Sequence, residues 1–151
     1  MSTVEPVRRS IVVDVDREKA FAVFTARMGA WWTPEHRIAA NPFVDAVVEP
    51  MVGGRWYEVD AEGAETEWGK VLAWEPPGRL VLAWQLTGDY RYDPDFVTEV
   101  EVRFTDQGGR TLVELEHRDL ERFGEQAELV RRAFDDPNGW PGLLDRFAGA
   151  V

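Results

Sequence analysis

The sequence contains no cysteine. Disulfides and thiolate metal sites are therefore excluded, and a cytoplasmic location fits. Histidine is nearly as scarce: only His36 and His117, far apart in the chain. A zinc site needs convergent His, Cys or carboxylate ligands, so neither a metal nor another cofactor is expected. Ser2 and Ser10 are the only serines, and neither lies in a Gly-x-Ser-x-Gly nucleophile elbow. No stretch of eighteen apolar residues exists to span a bilayer, so membrane insertion is not expected. The segment from Met1 to Arg9 lacks the apolar core of a signal peptide and carries Glu5 and Pro6.

Positive charge is also in short supply. Seventeen Lys and Arg face twenty-eight Asp and Glu, a net charge of −11. Arg8-Arg9 and Arg131-Arg132 are isolated pairs rather than a basic patch. Such a field repels polyanions, so nucleic acid is not an expected partner. The close carboxylates Asp14/Asp16, Asp93/Asp95 and Asp135/Asp136 fall at turns and caps, where Asp serves local hydrogen bonding, and none forms a calcium loop. Gly53-Gly54 and Gly108-Gly109 open no helix, so they are turn glycines and not phosphate cradles.

Tryptophan is abundant instead, with seven in 151 residues: Trp31, Trp32, Trp56, Trp68, Trp74, Trp84 and Trp140. A core this small rarely needs so many, because each buried indole N–H requires an acceptor. A concave aromatic site is the alternative use.

The hydrophobic pattern predicts a first strand ending in Ile11-Val12-Val13, then a helix capped by Asp16, with Ala20, Phe21, Val23, Phe24 and Met28 at helical spacing. Trp31-Trp32-Thr33-Pro34 reads as a short second helix or turn. Strands follow over 43–49, 55–59, 67–74, 79–86, 96–104 and 111–117, separated by hairpin-sized turns or, over 87–95, a loop. Alternation places Leu80, Leu82, Trp84 and Leu86 on one face, as it does Phe96, Thr98, Val100, Val102 and Phe104, and Val113, Leu115 and His117. Tyr57 shares its parity with Arg55 and Val59. Helical spacing returns over 125–134 and, after Asp135 to Gly139, from Trp140 through Leu143, Leu144 and Phe147. No linker or repeat divides the chain, so residues 1–151 are expected to form one α+β domain.

Several short motifs occur in a fixed order. They are Trp31-Trp32, Gly53-Gly54-Arg55-Trp56, Gly69-Lys70-Val71-Leu72, Pro76-Pro77-Gly78-Arg79-Leu80-Val81-Leu82 with Trp84, Thr98-Glu99-Val100-Glu101-Val102, Glu114-Leu115-Glu116-His117, and Gly139-Trp140 with Leu143-Leu144. In this the chain resembles the SRPBCC superfamily (START-like, birch-pollen-allergen-like). Within it, the chain is similar to the group named for the activator of heat-shock-protein ATPase. Two positions depart from the pattern: Ala83 where Thr is commoner, and Arg118-Asp119 where a small residue usually follows the histidine.

The resemblance implies a helix-grip fold. A seven-stranded curved antiparallel sheet wraps around a long C-terminal helix, with two short helices after the first strand. It also implies a pocket between sheet and helix for a small apolar or aromatic molecule. Candidate ligand-binding residues are Trp31, Trp32, Tyr57, Trp84, Phe96, Phe104, His117 and Trp140, with no catalytic residue assigned. Arg55 or Tyr90 could add a polar contact, and His36 is expected to be merely exposed. Two other functions compete with simple binding. One is a cyclase or dehydratase using His117 as acid/base; the other is a co-chaperone-like interaction module. For His117 itself, a hydrogen-bonded histidine near a strand end competes with the site role. An exposed strand edge would permit a homodimer.

Overall fold

The computed structural model describes residues 4–151, so Met1–Thr3 of the N-terminal segment discussed above lie outside the described residues. The elements run β1 (Val7–Val13), α1 (Arg17–Ala26), α2 (Met28–Trp31), β2 (Phe43–Val48), β3 (Arg55–Asp60), β4 (Glu65–Glu75), β5 (Arg79–Trp84), β6 (Thr98–Asp106), β7 (Thr111–Arg118), a 3-10 segment (Leu120–Gln126), α3 (Ala127–Asp135) and α4 (Trp140–Ala150). All seven strands form one antiparallel sheet in the order β1-β7-β6-β5-β4-β3-β2. This is the α+β helix-grip arrangement, with the C-terminal helical layer broken once between α3 and α4.

Local chemistry accounts for the elements. Asp16 caps α1, accepting from the Lys19 amide at 2.8 Å. Ala20, Phe21, Val23 and Phe24 form the buried side of that helix. Phe21 and Phe24 meet Phe104 of β6 with ring centroids 5.2 and 5.7 Å apart. The register shifts in β2, β3 and β4, between Phe43/Asp45, Trp56/Tyr57 and Val71/Ala73. Irregularities of this kind bend strands and increase their twist, and all three fall in the β2–β5 half of the sheet.

One cross-strand row organises that face. Val48, Trp56, Gly69, Trp84 and Thr98 are successive register partners from β2 to β6. Gly69 contributes no side chain, and the indoles of Trp56 and Trp84 meet across it with centroids 5.8 Å apart. A Cβ on Gly69 would overlap the carbonyl oxygen of Ala83 and touch the Trp56 ring. On the opposite face Glu101 accepts from Arg79 and Arg103 at 2.7 Å each and from Arg118 at 2.5 Å. Burial opposes ionisation of Glu101, but these arginines outweigh it and hold the carboxyl at about 2. No described helix is long and apolar enough to cross a membrane.

Gly69→Ala is expected to cost about 3 kcal/mol or more, because the clash is with backbone that cannot move without breaking the β4–β5 ladder. Urea denaturation followed by far-UV circular dichroism measures this. A loss below about 1 kcal/mol would mean that the neighbouring register shifts absorb the methyl group.

Candidate functional site

A cavity of about 540 Å³ opens between the concave face of the sheet, the segment 33–42 after α2, and the α3–α4 corner. Its wall includes four indoles, Trp32, Trp68, Trp84 and Trp140, together with Ile38, Leu86, Phe134 and Leu143. Glu35, His36, Arg37, Tyr90, Asp136 and Asn138 supply the polar rim. An apolar interior with few polar groups is the ordinary make-up of a small-molecule site.

Each wall element arrives by a different local device. Trp32 follows α2, and its indole donates to the His36 carbonyl at 3.2 Å. Trp84 closes β5 and contacts Trp56, His117, Phe134 and Trp140 at centroid distances of 5.8, 5.2, 5.2 and 6.0 Å. The register shift in β3–β4 pairs Trp56 with Gly69 and Tyr57 with Glu67, which leaves Trp68 as the extra residue between them. Trp68 packs against Trp32 at 4.9 Å. Its indole donates at 2.8 Å to Glu58, a fully buried carboxyl of β3.

Trp140 opens α4 with Pro141 in the first turn, where a missing amide hydrogen costs nothing. Its Nε1 donates to His117 Nδ1 at 3.1 Å. An indole N–H can only donate, so Nδ1 is an acceptor and the proton of the neutral imidazole sits on Nε2. That nitrogen lies 2.8 Å from Thr98 Oγ1. The imidazole also stacks on Phe134, with centroids 4.6 Å apart and planes at 13°. Burial pushes the His117 pKa down to about 3.

Three of the eight sequence candidates, Trp32, Trp84 and Trp140, line the cavity. His117 faces the same side of the sheet but is fully buried behind Trp140 and Phe134. Trp31 points elsewhere, against Phe24 and Phe147, with its Nε1 donating to the Val23 carbonyl at 3.1 Å. Phe104 belongs to the packing under α1, and Phe96 precedes β6 and rests on Phe123. Tyr57 requires a correction: its ring lies on the opposite face of β3 from Trp56, 4.2 Å under the Arg55 guanidinium. Arg55 is tied to Glu49 and Glu65 and is likewise outside the cavity.

Sequence reasoning missed Ile38, Trp68, Leu86, Phe134 and Leu143 as residues of the cavity wall. His36 is exposed, as expected, but it also stands at the rim, with Nε2 hydrogen-bonded to the Asn138 carbonyl. Tyr90 stands there too, with φ of 58°. This left-handed conformation is uncommon for a bulky residue and is the kind of strain that gathers at functional sites. Among the described residues no cluster of three potential metal ligands occurs.

The family model for "Activator of Hsp90 ATPase homolog 1-like protein" matches residues 14–151. The chain belongs to that family. An anthrahydroquino-gamma-pyrone synthase, Txn09, complexed with SUM, is 40% identical, with a TM-score of 0.69 and coverage of 99% of this chain and 98% of that one. A self-sacrificing resistance protein, CalC, from Micromonospora echinospora is 34% identical, with a TM-score of 0.67 and coverage of 96% and 92%. The Aha1 dimer from Colwellia psychrerythraea shares the fold at 14% identity, with a TM-score of 0.65 over 98% and 96% of the two chains. Among curated proteins, none matches the sequence.

The imidazole of His117 is expected to stay neutral in the folded family member. Its folded pKa lies below its unfolded value near 6.5, so the stability it contributes is complete above pH 6.5 and declines as pH falls from there toward 3. Long-range proton–nitrogen NMR, with His36→Gln used for assignment, should show the Nε2–H tautomer unchanged from pH 8 to pH 5. A titration midpoint between 6 and 7 would show that the Trp140 bond does not hold in solution.

Proposed function

We propose that this protein binds a small, planar aromatic molecule in the cavity between the sheet and the α3–α4 corner. The observation that carries this reading is the set of four indoles facing one void of about 540 Å³ beneath a polar rim. That size accommodates a fused-ring compound, and such a void falls within the range of ligand pockets. The 40% identity to a synthase named for an anthrahydroquino-gamma-pyrone supports a flat polycyclic ligand. The negative field of the chain favours a neutral or cationic ligand over a polyanionic one.

The same relative favours a second reading, a ring-closing activity in this cavity. The version in which His117 serves as acid/base gains no support from the geometry. Both ring nitrogens of His117 are engaged, and protonating Nδ1 would break its bond to Trp140. An interaction module of the co-chaperone kind draws on the family name and on no feature of the cavity. The homodimer expected from an open sheet has β1 and β2 as its two available edges.

Native mass spectrometry of freshly purified protein is expected to show a small-molecule adduct that is lost on denaturation. Titration with 2-hydroxyanthraquinone should quench the tryptophan fluorescence saturably. Leu143→Trp fills the cavity from α4 and should weaken that binding at least about tenfold, with little change in melting temperature. Absence of both the adduct and saturable quenching would sink the binding reading. Undiminished affinity in Leu143→Trp would move the site elsewhere.

A further inference from the structure

Among the described residues, Glu58 is the carboxyl that lies directly behind the cavity wall with an oxygen to spare. It sits in β3 two residues after Trp56, between Ala46 and Thr66 in register, and is 0% exposed. Oε1 takes two hydrogen bonds, from Trp68 Nε1 at 2.8 Å and from the Ile38 amide at 2.6 Å. Both donors belong to residues that line the cavity. Oε2 is buried and has no hydrogen-bond partner among the described residues.

A carboxyl in this position is costly. An unsatisfied buried acceptor loses about 1–3 kcal/mol of solvation with nothing in return. Isolated cases in folded proteins call for a physical explanation, of which an uncounted partner is one. Asp60, the other buried acid of β3, differs: its oxygens accept from Asn41, Glu62 and Ala64. Gln85 Oε1 is the other buried side-chain oxygen without a partner, so the orphan oxygen marks Glu58 as distinct among the described carboxyls. Its place behind Trp68 and Ile38 marks the direction from which a donor can come. Of its two cavity-side neighbours, Trp68 is fixed in the sheet. Ile38 is only half-buried and lies on a segment without regular secondary structure, so it is the cheaper one to displace.

We propose that Glu58 is the specificity-determining residue of the cavity, with Oε2 accepting a hydrogen bond from a hydroxyl or N–H on the aromatic ligand. The preferred ligand class is then a phenol, hydroquinone or ring N–H compound rather than a bare or fully alkylated aromatic. This rests on the cavity being the ligand site. Indole walls recognise the ring faces, and the Glu58 carboxyl selects the edge that carries a donor. A site built around such an acceptor rejects an analogue lacking the donor more strongly than apolar contacts alone can.

Two probes of nearly the same shape separate these contributions: 2-naphthol and its methyl ether, 2-methoxynaphthalene. Isothermal titration calorimetry of the full chain should show 2-naphthol bound about tenfold more tightly, one hydrogen bond's worth. A purely apolar cavity gives the opposite order, because the ether is easier to take out of water. In Glu58→Gln the amide oxygen can still accept from Trp68 and Ile38, while an NH₂ replaces Oε2. The preference for 2-naphthol should vanish and the affinity for the ether should persist. Wild-type protein that binds both probes equally, or the ether better, would overturn the role of Glu58 and leave the cavity reading intact. That comparison needs no variant, so it decides even if Glu58→Gln fails to fold. A preference for 2-naphthol surviving in Glu58→Gln would assign the donor to another acceptor and likewise overturn the proposal. Failure of the wild-type protein to bind either probe would remove the cavity reading, and this inference with it.

Discussion

The hydrogen bond from the Trp140 indole to His117 Nδ1 joins the first residue of α4 to the second-last residue of β7. Trp140 lines the cavity and His117 backs it, so this contact fixes one of the cavity's walls. It sets where the C-terminal helix begins, and it holds the imidazole in one tautomer. Through Nε2 and Thr98 it also links α4 to β6, the next strand of the sheet. A phenylalanine at either position would preserve the apolar packing and lose the direction. Burial of the neutral ring is tolerable because both nitrogens are satisfied, which is the usual condition for a polar group in a core.

A glycine opposite two tryptophans is the second constraint. Rows of large side chains on a concave sheet would ordinarily interdigitate and fill the space above them. At Gly69 the row drops to nothing, and Trp56 and Trp84 lean together over the gap at 5.8 Å. The register shift beside it pushes Trp68 out of line toward Trp32. One small residue and one extra residue thus redirect three indoles without any change in strand order.

Much of the fold was legible because strands with one buried face alternate. β6 and β7 declare their inward residues by parity alone, and the Asp16 cap marks α1. β3 does not. One parity of Arg55–Asp60 offers Trp56, Glu58 and Asp60, the other Arg55, Tyr57 and Val59, so both faces mix charge with apolar bulk. The inward face is the one carrying two carboxylates, the reverse of what burial favours, and Tyr57 was accordingly assigned to the wrong side. Phe96 was misplaced by extending β6 two residues beyond its start at Thr98. Parity did put His117 on the inner face. Its seclusion, however, comes from Trp140 and Phe134, residues of other elements that no local pattern relates to β7. The 3-10 segment 120–126 went unseen because it begins at Asp119 in a left-handed conformation, without a side-chain cap.

Tethering of the indoles explains why a cavity survives in a domain with this much aromatic bulk. Trp31 donates to the Val23 carbonyl, Trp32 to the His36 carbonyl, Trp56 to Met28 Sδ, Trp68 to Glu58 and Trp140 to His117. A ring free to rotate would swing into the void and recover dispersion energy there. A ring whose N–H is committed to a buried acceptor must first give up that bond, at a cost of about 1–3 kcal/mol for the group left unpaired. Trp84 is held instead by rings around it, His117, Phe134 and Trp140 among them. The acceptors are spread over helix backbone, loop backbone, a thioether, a carboxyl and an imidazole, so collapse would require breaking several unrelated contacts at once. The polar atoms buried among these tryptophans therefore keep the apolar wall open.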